Sequence, residues 1–436
     1  MRARLSTSPD AAALLSALQP DSRRALSTAI EVAEGLGAAL YLVGGGVRDL
    51  LLGGSTRDLD LAVEGSAADL AAELAARLGG DVRCHGAFGT AVVTVPLMGA
   101  LDLATCRSEI YPAPGALPRV GPAGISEDLA RRDFTVNAVA LRLTPPSPIS
   151  PWIDPFGGRA DLEARRLRVL HAGSFRDDPT RILRGVRLAE RLRFDFDPES
   201  EELARTALAD GAMTTLSGDR LREELLPTLA LGSAAVERLE RLGVLAALDP
   251  DLSWSPAVGL RLDATVAQVG GLTGPCVAAG VTPPNTGWSA LLALVWELDR
   301  AVRLRLAARL GLTGRAEGAL VGVSERVESA LAALVPGARP HGVVEALDRL
   351  SGDDLGLLGA LGGRSAGTWI GRYLGELRRI VVEVEGDALV ALGVPRGPEL
   401  GRLLTAIRRA RLDGEVVAGG ELEFARRWLA MRQGAV

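Results

Sequence analysis

The tightest constraint on this chain is a change in the period of its apolar residues. Between residues 38 and 106 they come in short β-rich runs, AALYLVGG, DLDLAV, AVVTVPL and ALDLAT, separated by turns and by one helical stretch, SAADLAAELAARLGG. Runs of that length and alternation specify a small mixed sheet. Ahead of them, residues 11–34 read as one or two helices that stop at Gly35-Leu36-Gly37. After Pro151 the pattern turns helical, as in DDPTRILRGVRLAERL, ESEELARTALAD, SGDRLREELLPTLAL and SALLALVWELDRAVRLRLAARLG. Pro/Gly-rich breaks at 272–287 and at Val335-Pro336-Gly337 divide that half. The chain is therefore of the α+β class, a small mixed head followed by helices. Its 436 residues exceed what one core holds, roughly 250–300.

Several function classes drop out on composition. No apolar run approaches the ~20 residues of a membrane span, and the N-terminal stretch, with Asp10 and Asp21, does not read as a signal peptide. Cys84, Cys106 and Cys276 are too few and too scattered for a disulfide framework or a zinc site, which suits a reducing cytoplasm. The sequence has no lysine, so all 49 basic residues are arginine. The net charge of −5 does not advertise a nucleic-acid partner, so any such contact has to come from local patches. One candidate is the last 36 residues, with arginines at 402, 408, 409, 411, 426, 427 and 432 against four acids; on charge alone a solvated helix face explains it better.

The chemistry-bearing segments begin with Leu42-Val-Gly-Gly-Gly-Val-Arg-Asp49, then Arg57-Asp-Leu-Asp60. A strand running into Gly44-Gly45-Gly46 lets backbone N–H groups approach a phosphate, and Arg48 adds a cation. Asp58 and Asp60, at i and i+2 on a strand, point to one face, and two such like charges call for a cation. Asp102, in Ala100-Leu-Asp-Leu-Ala104, is either a third carboxylate on a neighbouring strand or a solvent-facing residue. Residues 107–126, with four prolines and three glycines, read as a long functional loop. Arg131-Arg132-Asp133 precedes an expected helix that brings Asn137 to the same face as Asp133. Asp154-Pro-Phe-Gly-Gly is a turn. In Arg176-Asp-Asp-Pro-Thr-Arg181, Asp178 is a candidate N-cap that can pair with Arg181, with Arg184 and Arg187 continuing the face.

Taken in order, LVGGGVRDLLLG…RDLDLAV, RRDFTVNAVAL, DPFGGRADL, RDDPTRILRGVR and SGDRLREEL resemble the class II tRNA nucleotidyltransferase and bacterial poly(A) polymerase family across about residues 39–225. The resemblance implies a polymerase β-like nucleotidyltransferase head at 31–145 after an N-terminal helical segment at 1–30. An all-helical, nucleobase-reading neck (146–212), a body (213–335) and an RNA-binding tail (336–436) would follow. Asp58 and Asp60, with Asp102 as a third catalytic carboxylate, would hold Mg²⁺. Gly44, Gly45 and Arg48 would handle the triphosphate, and Arg132, Asp133 and Asn137 the ribose and phosphate. Asp178 and Arg181, with Arg184 beside them, would stand in for a template. The implied activity is addition of CCA, or of C or A residues alone, to tRNA 3′ ends from CTP and ATP. Poly(A) synthesis and a catalytically inactive nucleotide- or RNA-binding module are the rivals. Two departures from the family pattern stand out: Gly46 where alanine is usual, and Asp177 where glutamate is common.

Overall fold

The computed structural model describes residues 18–54, 59–86, 89–96, 99–145 and 152–433. They divide into two compact units that meet in sequence at Leu216/Ser217. In the first, helix α1 (Pro20–Gly35) leads into strand β1 (Ala39–Val43), helix α2 (Gly44–Leu51), β2 (Leu59–Glu64), helix α3 (Ala67–Leu78) and strands β3 (Asp81–His85), β4 (Thr90–Val95) and β5 (Gly99–Thr105). Strands β8 (Ala140–Arg142) and β9 (Trp152–Ile153) complete a seven-stranded sheet of order β3-β4-β5-β2-β1-β8-β9. Every neighbouring pair is antiparallel except β2 and β5, which run parallel.

Local chemistry accounts for these elements. The helix α3 starts where the Ser66 side chain accepts from the Asp69 N–H at 3.2 Å, and it ends on Gly79 in the left-handed region. Alternation along β2 sends Leu59, Leu61 and Val63 to one face, where they meet Leu101 and Leu103 of β5 and Leu40 and Leu42 of β1. Each such leucine, fully buried, contributes roughly 1.5–3 kcal/mol. Helices α1 and α3 pack together and against this sheet. The opposite face carries Tyr41, Val43 and Ala62, in one cluster with Cys106, Ile125, Leu129 and Ala138. Asp60 and Asp102 share that second face.

Residues 107–126 are not a structureless loop. Strands β6 (Arg107–Ile110) and β7 (Arg119–Pro122) pair antiparallel, Arg107 opposite Pro122, and the helix α4 (Ile125–Ala130) follows directly. The expected helix around Asp133 and Asn137 is instead a single 3₁₀ turn, Thr135–Asn137, running into β8. Beyond β9 come α5 (Gly158–Ala164), α6 (Ser174–Asp177), α7 (Thr180–Leu192) and α8 (Pro198–Ala209). A two-residue parallel pair, β10 (Arg166–Leu167) with β11 (Asp195–Phe196), interrupts this otherwise helical stretch.

Among its described residues the second unit is helical, its longest helices being Pro256–Ala278 and Gly352–Gly375. The break expected from residue 272 comes only after Ala278, because burial of Leu272 and Cys276 carries the helix through Pro275 in its last turns. The stretch from Ser289 to Leu310 splits into Thr286–Val295 and Arg300–Arg309. No helix among the described residues is long and apolar enough to cross a membrane.

Helix α7 lies unusually close to the head. A Cβ on Gly185 would stand 2.5 Å from Phe196 Cζ and 2.7 Å from Phe134 Cζ, and those two rings pack edge to face at 6.0 Å. Gly185→Ala is expected to lower stability by about 1–3 kcal/mol through overpacking. An unchanged urea midpoint would show that the rings yield freely.

Candidate active site

The parallel pairing of β2 with β5 sets Asp60 directly beside Asp102 in register. Neighbouring strands lie ≈ 4.8 Å apart and in-register side chains leave on the same face, so these carboxylates are held as a pair. Asp102 is exposed and Asp60 half-buried. Asp102 thus stands on the strand beside Asp60 and is also solvent-facing. Asp58 lies outside the described residues. Among the described residues no group of three or more His, Cys, Asp or Glu side chains is arranged around a metal position.

Strand β1 stops at Val43, and Gly44 opens helix α2 with φ +70°. Only glycine adopts that conformation readily. It also leaves room: a methyl here would sit 3.1 Å from Arg132 Nη1 and 3.2 Å from Asp60 Oδ2. Two charged groups, Arg132 and Asp60, therefore converge at the helix N-terminus, where N–H groups favour anions. Arg48, one turn on, is buried; it donates from Nη1 to Asn137 Oδ1 at 2.6 Å and from Nε to Asp49 Oδ1 at 2.8 Å. Burial lowers its pKa against the pull of Asp49.

Asn137 in turn donates from Nδ2 to Asp133 Oδ1 at 2.9 Å, and Arg184 Nη2 reaches Asp133 Oδ2 at 2.9 Å. The arrangement is a chain, Arg48–Asn137–Asp133–Arg184, from helix α2 to helix α7. Burial opposes ionisation of Asp133. Arg184, with hydrogen bonds from Asn137 and the Phe134 N–H, outweighs it and holds the carboxyl below the usual range. The DPFGG turn supports the same corner: Asp154 accepts the N–H groups of Gly158 and Arg159, and Asp161 accepts the Thr135 hydroxyl at 2.6 Å.

The segment carrying Asp178 and Arg181 differs in detail from a simple capped helix. Asp178 Oδ1 accepts from the Thr180 N–H and hydroxyl, while Pro179 takes the cap position of α7. Arg181 is buried, donating to Ser174 Oγ at 2.7 Å, to the Arg131 carbonyl at 2.7 Å and to Tyr111 Oη at 3.4 Å. Its guanidinium also lies 5.8 Å from the Tyr111 ring centroid. Burial pushes the Tyr111 phenol up to about 12, with Arg181 pulling the other way. The hairpin β6–β7 is anchored at its far end, where the Gly115 N–H donates to the carbonyls of Arg176 and Asp177 at 3.2 Å each.

Two further acids, Glu109 and Asp128, hold arginines beside these residues. Both side chains are largely shielded from water; Asp128 meets Arg131 and Arg132 at i+3 and i+4, whereas Glu109 meets Arg131 at a separation without a periodic signature. Glu109 on strand β6 and Arg131, just after helix α4, pair at 3.0 Å across 22 residues of chain. The candidate basic tail patch is smaller than its arginine count implies, because Arg408, Arg409 and Arg411 are engaged by Asp348, Glu345 and Glu421.

Residues 40–168 match the family described as "Poly A polymerase head domain". The A-adding tRNA nucleotidyltransferase of Geobacter sulfurreducens is 33% identical over 394 residues, covering 88% of this chain and 44% of the relative. The CC-adding tRNA nucleotidyltransferase of Deinococcus radiodurans is 41% identical over 206 residues, 46% of this chain and 54% of the relative. A solved structure described as "Structure of tRNA-processing enzyme complex 3" is 30% identical, with a TM-score of 0.65 over 88% of this chain and all of that one. The chain belongs to the class II tRNA nucleotidyltransferase and bacterial poly(A) polymerase family. "The structure of CCA-adding enzyme apo form II" superposes with a TM-score of 0.82 at 26% identity, over 97% of this family member and 99% of that chain. The chain spans less than half the length of the first curated relatives it matches.

Asp133 ionises more readily folded than unfolded, so its contribution to stability is complete above the unfolded value of about 3.9 and fades as pH falls through the lower folded one. Asp133→Asn should therefore be less stable than wild type by about 1–3 kcal/mol at pH 6. Urea denaturation should show that gap closing below about pH 4. An equal gap at pH 3 and pH 6 contradicts the assignment.

Proposed function

We propose that the protein is a tRNA nucleotidyltransferase that adds CCA, or its C or A residues alone, to tRNA 3′ ends from CTP and ATP without a nucleic-acid template. The observation that carries the reading is the in-register Asp60/Asp102 pair beside the Gly44 helix terminus, with Arg132 converging on the same point. Family membership supports it, as do solved relatives described as complexes of CCA-adding enzyme with tRNA, CTP and ATP. In the reaction the RNA 3′-hydroxyl oxygen bonds to the α-phosphorus, the bond to the β-phosphate oxygen breaks, and pyrophosphate and the hydroxyl proton leave.

Asp58 and Asp60, with Asp102 alongside, would hold divalent metal, and the fit is chemical: hard carboxylate oxygens, paired in register, whose repulsion a cation relieves. When bound, Mg²⁺ supplies charge neutralisation at the phosphates and acidifies the attacking hydroxyl. The chain's own groups position the rest. Backbone N–H groups at Gly44 and Gly45, with Arg48 and Arg132, orient the triphosphate. Asp133 and Asn137 receive the ribose hydroxyls, kept in place by Arg184. Asp178 and Arg181 present an acceptor and a donor to the Watson–Crick edge of C or A. Arg181 donates to Ser174, to the Arg131 carbonyl and, at 3.4 Å, to Tyr111, contacts that use three of its five N–H groups and fix its orientation. Positioning and charge stabilisation of this kind supply most of the acceleration. Three free cysteines suit work in the cytoplasm.

The deciding experiment offers tRNA transcripts ending before CCA, after C and after CC, with CTP or ATP separately, and resolves products at single-nucleotide length. The expected result is addition that stops at the completed terminus. Addition of A alone to the CC-ended transcript narrows the reading to an A-adding enzyme. Long adenosine tails on unrelated RNA overturn it for poly(A) synthesis, and no incorporation with Mg²⁺ overturns it for a binding module. Asp60→Ala should abolish incorporation while circular dichroism and melting stay near wild type. Near-wild-type incorporation by the folded variant would end the metal assignment.

A further inference from the structure

Asp128, in helix α4, has no contact with metal, ribose or base assigned to it above, yet it holds Arg132, which faces the phosphates, and Arg131, which lies beside the base reader. It is 1% exposed. Its Oδ2 accepts from Arg132 Nη2 at 2.9 Å. Its Oδ1 accepts from Arg131 Nε at 3.0 Å and Nη2 at 2.7 Å, and from the Arg107 N–H at 3.3 Å. Both oxygens are committed, one to each arginine. Burial opposes ionisation here, but Arg132 and Arg131 more than offset it and hold the carboxyl below its ordinary range.

Those two arginines lead in opposite directions. Arg132 turns Nη1 toward Gly44 and Asp60, at the phosphate end. Its Nε is buried without a hydrogen-bond partner among the described residues, so the grip of Asp128 on Nη2 is the main restraint on that guanidinium. Arg131 offers its carbonyl to Arg181 Nη2 at 2.7 Å, at the base-reading end, and its Nη1 to Glu109 at 3.0 Å. A single carboxylate thus fixes both the group facing the phosphates and the residue whose backbone holds the base reader.

We infer that Asp128 is a positioning residue that registers the base-reading end of the site with its phosphate-binding end, so that nucleotide choice and transfer depend on it jointly. The inference rests on the nucleotide-transfer reading. Removing the carboxylate charge leaves Arg131 and Arg132 cationic, so attraction for a triphosphate persists while their orientation is lost. Misplacement of that kind lowers turnover more than affinity.

The test compares wild type, Asp128→Asn, Asp128→Glu and, as a control of matched burial, Asp354→Asn. Asp354 is 3% exposed and takes Arg326 at 2.7 Å in the second unit. Each is assayed well below its melting temperature for kcat and nucleotide KM, and for misincorporation of UTP and GTP. Asp128→Asn is expected to lose on the order of 10–100-fold in kcat, with KM moving less than about threefold and misincorporation rising. Asp128→Glu should recover part of both, and it keeps the test decisive should the asparagine variant fail to fold. Asp354→Asn should melt earlier with kcat and selectivity intact. Wild-type kcat and selectivity in both folded Asp128 variants overturns the inference, as does a change in KM alone or an equal kcat loss in Asp354→Asn. A wild-type protein that incorporates nothing overturns the transfer reading itself.

Discussion

The parallel register between β2 and β5 is the constraint around which the head is organised. It is the one parallel pairing in the seven-stranded sheet, and it sets Asp60 and Asp102 side by side. Two carboxylates at adjacent-strand spacing repel. The surroundings answer it with positive potential: the N-terminus of helix α2 at Gly44 and the guanidinium of Arg132. The absence of a side chain at Gly44 is therefore both conformational and spatial. The φ of +70° needs glycine, and the space a methyl would fill is where the two charged groups approach.

Around that pair, buried acids do the holding. Asp128, Asp133 and Asp161 are each nearly or wholly buried, and each takes at least one arginine or polar partner from another element. Removing one member of a fully buried pair typically costs about 3–5 kcal/mol; the cost is smaller at Asp133 and Asp161, because Arg184 and Arg168 are partly in water. The benefit is direction: Arg132, Arg184 and Arg168 are fixed without their positive charge being spent on mobile surface contacts. This also reconciles an acidic chain with arginine-lined functional ends. The charge that matters is local, and in the tail much of it is already paired.

Much of this was legible beforehand because it is local. The Ser66 and Gly79 caps bound helix α3 as their residue types require, and DLDLAV alternates as a half-covered strand must. The head-then-helices order follows from the change of period. What escaped reading depends on contacts distant in sequence. Prolines and glycines at 107–126 mask a hairpin, since Pro122 sits at the end of the ladder, where its missing N–H does little harm. Asp133 and Asn137 do meet, but across a 3₁₀ turn and not along an α-helix. The partners of Arg181 lie 7, 50 and 70 residues away, and only the first is within reach of a local pattern. Glu109 carries no local signal because it meets Arg131 only once the hairpin has folded against helix α4, while Asp128 meets Arg131 and Arg132 at ordinary i+3 and i+4 spacing, which by itself marks no site.

As proposed, Asp60 and Asp102 act as one cation-binding pair. Titration with Mn²⁺ followed by water-proton relaxation tests it directly, on wild type, Asp60→Asn and Asp102→Asn, with folding checked by circular dichroism. Binding is expected to saturate in wild type and to be at least ~10-fold weaker in each variant, the scale by which disturbing a metal site usually reduces affinity. Binding in folded Asp102→Asn equal to wild type would contradict it, leaving Asp102 an ordinary exposed strand residue.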